Sequence, residues 1–196
     1  MNEKLELRMY GLVPYNISPI QQAIQFGHAV VEYGQMVRRP QSISKMEIDA
    51  PLVYDDWADN WKTFIILNGG TTNYRTSDDG FPFGSLNQHV ITLDENRVDF
   101  ATFNEPDLGD QLTAVVFIVD EQVFNRKKYP DFEDWVIENY GELIRSDHYT
   151  TSYMLAKRIK ESNSKEDQKV YQSWVKSIGG EKNVFLRDFL KNFKLA

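Results

Sequence analysis

The chain has 196 residues, no cysteine and a formal net charge of −7. That length suits one large domain, or one domain with an appendage, and it buries a core without disulfide or metal staples. The lack of cysteine excludes a disulfide framework, zinc ribbons and a thiol nucleophile, and it fits a reducing, cytoplasmic setting.

With 41% hydrophobic and 26% charged residues the composition is that of a globular protein. The strongest apolar run, residues 114–119, is far too short to cross a bilayer. Residues 1–4 mix acid and base, so no signal peptide is visible and no membrane association is expected. Net acidity argues against a broad nucleic-acid surface, because phosphate binding needs a basic footprint. The charge is lopsided. Residues 1–121 hold 8 Lys/Arg against 18 Asp/Glu, a net −10, whereas residues 122–196 hold 14 against 11, a net +3. All seven prolines fall at or before Pro130. Two structural units are expected, 1–121 and 122–196.

Residues 7–13 (LRMYGLV) read as a strand ended by Pro14. Ser18-Pro19-Ile20-Gln21 is a helix start, with serine as cap, proline in the first turn and glutamine closing a capping box. The helix runs to about Val37. Its apolar positions Ile20, Ala23, Ile24, Gly27, Ala29 or Val30, Val31 and Gly34 predict the buried side, with Gly27 and Gly34 allowing close approach. Gln21, Gln25, His28 and Glu32 form a polar flank. A loop follows over 38–59, with a short helix near 55–61. Residues 62–67 read as a second strand, 68–84 as a long glycine-rich loop, and 85–95 as a helix. A third strand is expected at 97–103, a turn at 104–110, and a fourth strand at 112–119, whose continuous apolar run predicts a central place in the sheet. This order makes residues 1–121 an α/β domain with a small mixed four-stranded sheet flanked by helices. Residues 122–196 read as helices whose aromatic stripes pack as core.

Several residues carry possible chemistry. His28 is a candidate general base, oriented by Gln25 or Glu32; the same residue also fits a hydrogen-bonded helix edge. Free backbone N–H groups at Ser18–Gln21 form an anion site after the first strand, with Asn16 and Gln21 adding amide contacts. Asp107 and Asp110 sit in the turn before the last strand, as a carboxylate base or as ordinary turn residues. Thr71, Thr72, Asn73 and Arg75 suit a ligand lid, with Arg75 a phosphate partner. His89 and His148 show no partner pattern. The acidic residues Asp55, Asp56, Asp59 and Asp78-Asp79 lack metal-loop spacing, so neither metal nor cofactor is expected.

The stretch Ala23-Ile24-Gln25-Phe26-Gly27-His28-Ala29 resembles the Ala-Ala-Gln-x-x-His-Ala core of the second, archaeal and eukaryotic class of peptidyl-tRNA hydrolases. The order of the elements over roughly 6–121 is similar to that family's, and Thr113 matches the threonine of its last strand. The resemblance implies a nucleotide-type or tRNA-end ligand, hydrolase chemistry through His28, Asp107 and Thr113, and a homodimer. Gln21 stands where the family carries a lysine, and the turn 104–110 lacks the family's arginine and adjacent threonine. The alternative is a catalytically silent module, of a kind that suits a virus-encoded factor, which sequesters a small nucleotide or holds a protein partner.

Overall fold

The computed structural model describes residues 4–39, 47–72, 84–146 and 151–196. The chain divides into two compact units: Met1–Glu121 with Phe189–Ala196, and Gln122–Asp188.

The first unit is α/β. Its elements are β1 (Leu7–Pro14), α1 (Pro19–Met36), α2 (Ala50–Asp56) continued by a π-turn at Trp57–Trp61, β2 (Thr63–Gly70), α3 (Ser85–Glu95), β3 (Phe100–Glu105), a 3-10 turn (Pro106–Leu108) and β4 (Gln111–Asp120). The sheet order is β2-β1-β4-β3. β1 and β2 are parallel, and β4 is antiparallel to both β1 and β3. β4 is central, as its apolar run predicts, with Ala114–Phe117 fully buried.

α1 covers one face of the sheet and α3 the other. Gly11 explains how α1 seats. A side-chain carbon on Gly11 would lie 2.2 Å from the Phe26 ring, so only glycine leaves room for that ring on β1. Phe26, Ala29 and Tyr33 join Met9, Val13, Ala101, Ala114 and Val116 in the core of this face. This corrects the expected orientation of α1. Ile20, Ile24 and Val31 are 74%, 50% and 59% exposed, and a side chain on Gly27 would meet nothing within 4 Å. Gln25, expected on a polar flank, is buried. The helix carries two apolar stripes, and the one with the larger aromatic area faces the sheet, because burial free energy scales with area. Gly34 is buried as expected, under the Tyr54 hydroxyl.

Residues 194–196, after the last helix, close the outer edge of β2. The Asn68 N–H donates to the Lys194 carbonyl at 2.9 Å and the Ala196 N–H to the Ile66 carbonyl at 3.1 Å, making an antiparallel bridge at Leu67–Leu195. This pairing satisfies an edge that would otherwise be open to another strand. His89 of α3 stands nearly perpendicular to Phe189 and Phe193, at ring separations of 5.7 and 4.8 Å. Burial there lowers its pKa from the ordinary 6.5. The native state therefore binds fewer protons than the unfolded chain just below that value. The His89 contribution to stability is whole above pH 6.5 and is lost as pH falls from 6.5 through the lowered native value. The expected result is a urea midpoint that drops between about pH 7.5 and about pH 5.5, with a smaller drop in His89→Phe. Identical pH slopes in the two proteins would refute this.

The second unit holds most of α4 (Glu121–Phe124), with α5 (Phe132–Ser146), α6 (Ser152–Glu161), α7 (Lys165–Ser177) and most of α8 (Glu181–Leu190). Of the expected stripes, Phe132, Val136, Trp174, Val175 and Ile178 form its core, together with Leu155, Ala156 and Ile159 of α6; Phe189 and Phe193 of the last stripe belong to the first unit. Among the described residues, no helix of the chain is long and apolar enough to cross a membrane.

Candidate functional site at the sheet rim

β1, β2 and β3 run in the same direction, so their C-terminal ends share one rim with the start of β4. Ligands of open α/β sheets collect at such rims. In sheet order the rim carries Thr71 and Thr72 after β2, Asn16 and Ser18 after β1, Thr113 early in β4, and Glu105 and Asp107 at the end of β3. Asn73 and Arg75 lie outside the described residues, as do His148 and Asp78-Asp79.

Thr113 reaches its place through a β-bulge. Phe103 pairs with Ala114, and Asn104 with Leu112, which leaves Thr113 as the extra residue. Strict alternation would send Thr113 with Val115 toward α3. The bulge turns it onto the α1 face, a common use of bulges beside binding sites. There its hydroxyl donates to Gln25 Oε1 at 2.7 Å. The other end of the same amide, Nε2, donates to Glu105 Oε2 at 2.6 Å. A carboxylate only accepts, so the Gln25 amide must face Glu105 with its NH2 group, and Thr113 must donate to its oxygen. Glu105 Oε1 also accepts from the Asp107 N–H at 3.4 Å. Thr113 is fully buried and Gln25 nearly so. Thr113 therefore acts through Gln25, which in turn holds Glu105 at the rim.

His28, one turn beyond Gln25, is exposed and lies flat on Phe103 at 4.5 Å with the planes 17° apart. Stacking holds the imidazole at the end of β3 and leaves its ring nitrogens to solvent. His28, Gln25 and Thr113 thus gather around the β3–β4 end. Asp107 follows in the exposed 3-10 turn, anchored by its backbone while its carboxylate faces solvent.

The start of α1 is built as expected. Gln21 N–H donates to Ser18 Oγ at 3.3 Å, and Ser18 N–H donates to Gln21 Oε1 at 3.1 Å. Both halves of the capping box are made, so the Gln21 side chain is spent on the cap. Asn16 is exposed in the preceding turn. Gln22 Nε2 donates to the Pro14 carbonyl and the Tyr15 N–H to the Gly70 carbonyl, both at 2.9 Å, which ties this turn to the end of β2. There the Thr71 N–H donates to Ser85 Oγ at 2.8 Å, and the Leu86 N–H to the Thr71 carbonyl at 3.0 Å. Thr72 Oγ1 and Asn87 Oδ1 are buried without a hydrogen-bond partner. Buried polar atoms of this kind are rare and mark places where a ligand or water is normally met.

Glu105 and Phe103 are the residues that sequence reasoning missed. Both sit at the end of a strand expected to stop at 103, and Glu105 there reads as turn composition. Among the described residues no group of three or more His, Asp or Glu is placed to hold a metal ion.

No family model matches the chain, and neither a curated protein nor a solved structure matches it. Its class rests on its own geometry: an α/β unit with a four-stranded mixed sheet flanked by helices, joined to a helical unit.

Proposed function

We propose that the first unit is a peptidyl-tRNA-hydrolase-like domain that binds an RNA end or a nucleotide-type ligand along the sheet rim. The observation that carries this reading is the meeting of Gln25 and Thr113, 88 residues apart, in one buried hydrogen bond. Both positions belong to the motif resemblance, and so does the adjoining His28. The element order around the sheet also supports it. On this reading the ligand lies over the Phe103–His28 stack. Glu105 and Asp107 take its hydroxyl or amino groups, and the α1 start receives a phosphate. For an ester ligand, His28 accepts a proton from water, the hydroxyl adds to the acyl carbon, and the departing oxygen takes the proton back.

A second reading, binding without turnover, is favoured by one observation. Gln21 occupies the place of the family lysine and is held in the helix cap, so the α1 start offers no side-chain cation. Mass spectrometry of the protein purified from cells, paired with a peptidyl-tRNA cleavage assay, separates the two. Cleavage lost in His28→Ala supports hydrolysis. A retained, unmodified nucleotide without cleavage supports sequestration. If neither a nucleotide nor an RNA fragment is retained and no cleavage occurs, the ligand reading fails.

A further inference from the structure

Glu105 ends β3 half-buried, and its hydrogen-bonding directions are set from behind. Gln25 Nε2 holds Glu105 Oε2 at 2.6 Å, short even for a charge-assisted bond. That amide cannot turn over, because its oxygen takes the Thr113 hydroxyl at 2.7 Å. Each carboxylate oxygen has about two acceptor directions. On Oε2 one of them goes to Gln25, and on Oε1 one goes to the Asp107 N–H at 3.4 Å. Each oxygen keeps a second direction, the two lie side by side, and neither oxygen can donate. Among the described residues no cation pairs with Glu105.

A flat platform stands beside this carboxylate. Phe103 and Glu105 are two residues apart on β3, so both face α1. Gln25 and His28 are three apart on α1 and share the flank that meets β3. The imidazole covers the Phe103 ring at 4.5 Å, 17° from parallel, and His28 is exposed on its outer side. An aromatic platform accepts any base, because every base has a π-face. The polar group at its edge then decides which base fits. Of the four standard bases only guanine shows two adjacent donors on its Watson–Crick edge, N1–H and the N2 amino group. Adenine and cytosine show one amino donor beside a ring-nitrogen acceptor. Uracil shows one N–H between two carbonyls. Any of these three sets an acceptor against a carboxylate oxygen and leaves polar atoms unpaired, which is costly.

We propose that the nucleotide-type ligand of the rim carries a guanine base, stacked on His28, with N1–H and the N2 amino group donating to the two oxygens of Glu105. The assignment rests on the ligand reading of the rim and names the base within it. Gln25 is a positioning residue in this site, since it fixes the plane of the carboxylate, and Thr113 acts through Gln25.

Equilibrium dialysis of the full chain against guanosine, inosine and adenosine monophosphates tests it. Guanosine monophosphate should bind about tenfold or more tighter than adenosine monophosphate. Inosine monophosphate, which keeps N1–H and lacks the amino group, should fall between them. Glu105→Gln puts one donor and one acceptor at the rim, the pattern that an adenine edge matches. This variant should bind adenosine monophosphate at least as tightly as guanosine monophosphate. The ratio between bases is the readout, because removal of a negative charge favours every phosphate equally. His28→Ala should weaken all three nucleotides alike, by about fivefold or more, whereas His28→Phe keeps the platform and should not. Equal binding of guanosine and adenosine monophosphates, a guanine preference that survives Glu105→Gln, or a His28→Ala variant that binds like the parent would each overturn the guanine site and leave the rim a nucleotide site. Binding of none of the three would overturn the ligand reading itself, and the guanine site with it.

Discussion

Arg187→Ala is expected to unfold the helical second unit at a markedly lower denaturant concentration, with a loss of about 3–5 kcal/mol. Arg187 is 1% exposed, the least accessible charged side chain described. Its guanidinium donates from Nη1 to the Pro130 carbonyl at 3.2 Å and from Nη2 to the Tyr129 carbonyl. Asp131 supplies the compensating carboxylate, 3.6 Å from Nε. Arg126 ties the same carboxylate to the Arg187 carbonyl, donating to the latter at 3.0 Å. One planar fork thus organises the 129–131 turn from which α5 starts, and the Trp174 indole donates to the same Pro130 carbonyl at 3.1 Å. Truncation removes the fork, leaves a cavity, takes the guanidinium donor from the part-buried Tyr129 carbonyl and leaves the Pro130 carbonyl only the Trp174 indole. Arg187→Lys should recover little, because one ammonium cannot span two carbonyls and a carboxylate in fixed directions. Arg187→Met fills much of the volume, so it separates packing from hydrogen bonding. Full stability in Arg187→Met would show that the fork contributes nothing beyond bulk. Denaturant curves followed by tryptophan fluorescence, which reports Trp135 and Trp174 of this unit together with Trp57 and Trp61 of the first, would measure all three variants.

The second large effect is expected at the rim. Gln25→Leu should cost about 1–3 kcal/mol of stability in the first unit, because it leaves buried polar groups without their partner. Thr113 then has only the Phe103 carbonyl, at 3.3 Å, to accept its hydroxyl proton, and Glu105 loses its 2.6 Å amide donor. Thr113→Val should cost less, since the Gln25 amide keeps its carboxylate contact. The double variant is the decisive measurement. Residues sharing one buried bond are coupled, and a coupling of about 0.5–3 kcal/mol is expected, with the double variant less damaged than the sum of the singles. Additive losses would mean that the 2.7 Å bond between them contributes no net stability. If the rim is the ligand site, Gln25→Leu should also weaken nucleotide retention more than Thr113→Val, since Gln25 holds Glu105 directly.

Local signals predicted the elements well where the chemistry is local. Ser18-Pro19-Ile20-Gln21 specifies a helix start, because cap, proline and box partner lie within one turn; both box hydrogen bonds form. The helix over 85–95 and the central strand run are equally legible, from periodicity in one case and unbroken apolar burial in the other. Boundaries shifted where glycine or a turn residue extends a strand, as β2 does to Gly70 and β3 to Glu105. The second of these shifts hid Glu105.

By itself, then, the sequence determined an α/β unit followed by helices, the capped start of α1, and a set of polar residues near strand ends. Only the tertiary structure decided which stripe of α1 is buried. The two stripes have the same period, and the choice depends on Gly11, which makes room for Phe26 from another element. Only the tertiary structure aimed Thr113 at Gln25, because a bulge is a mismatch between two strands and neither strand carries it alone. The closing of the β2 edge by residues 194–196 is likewise a pairing across more than 120 positions. Periodicity reports a face; what the face meets is a property of its neighbours.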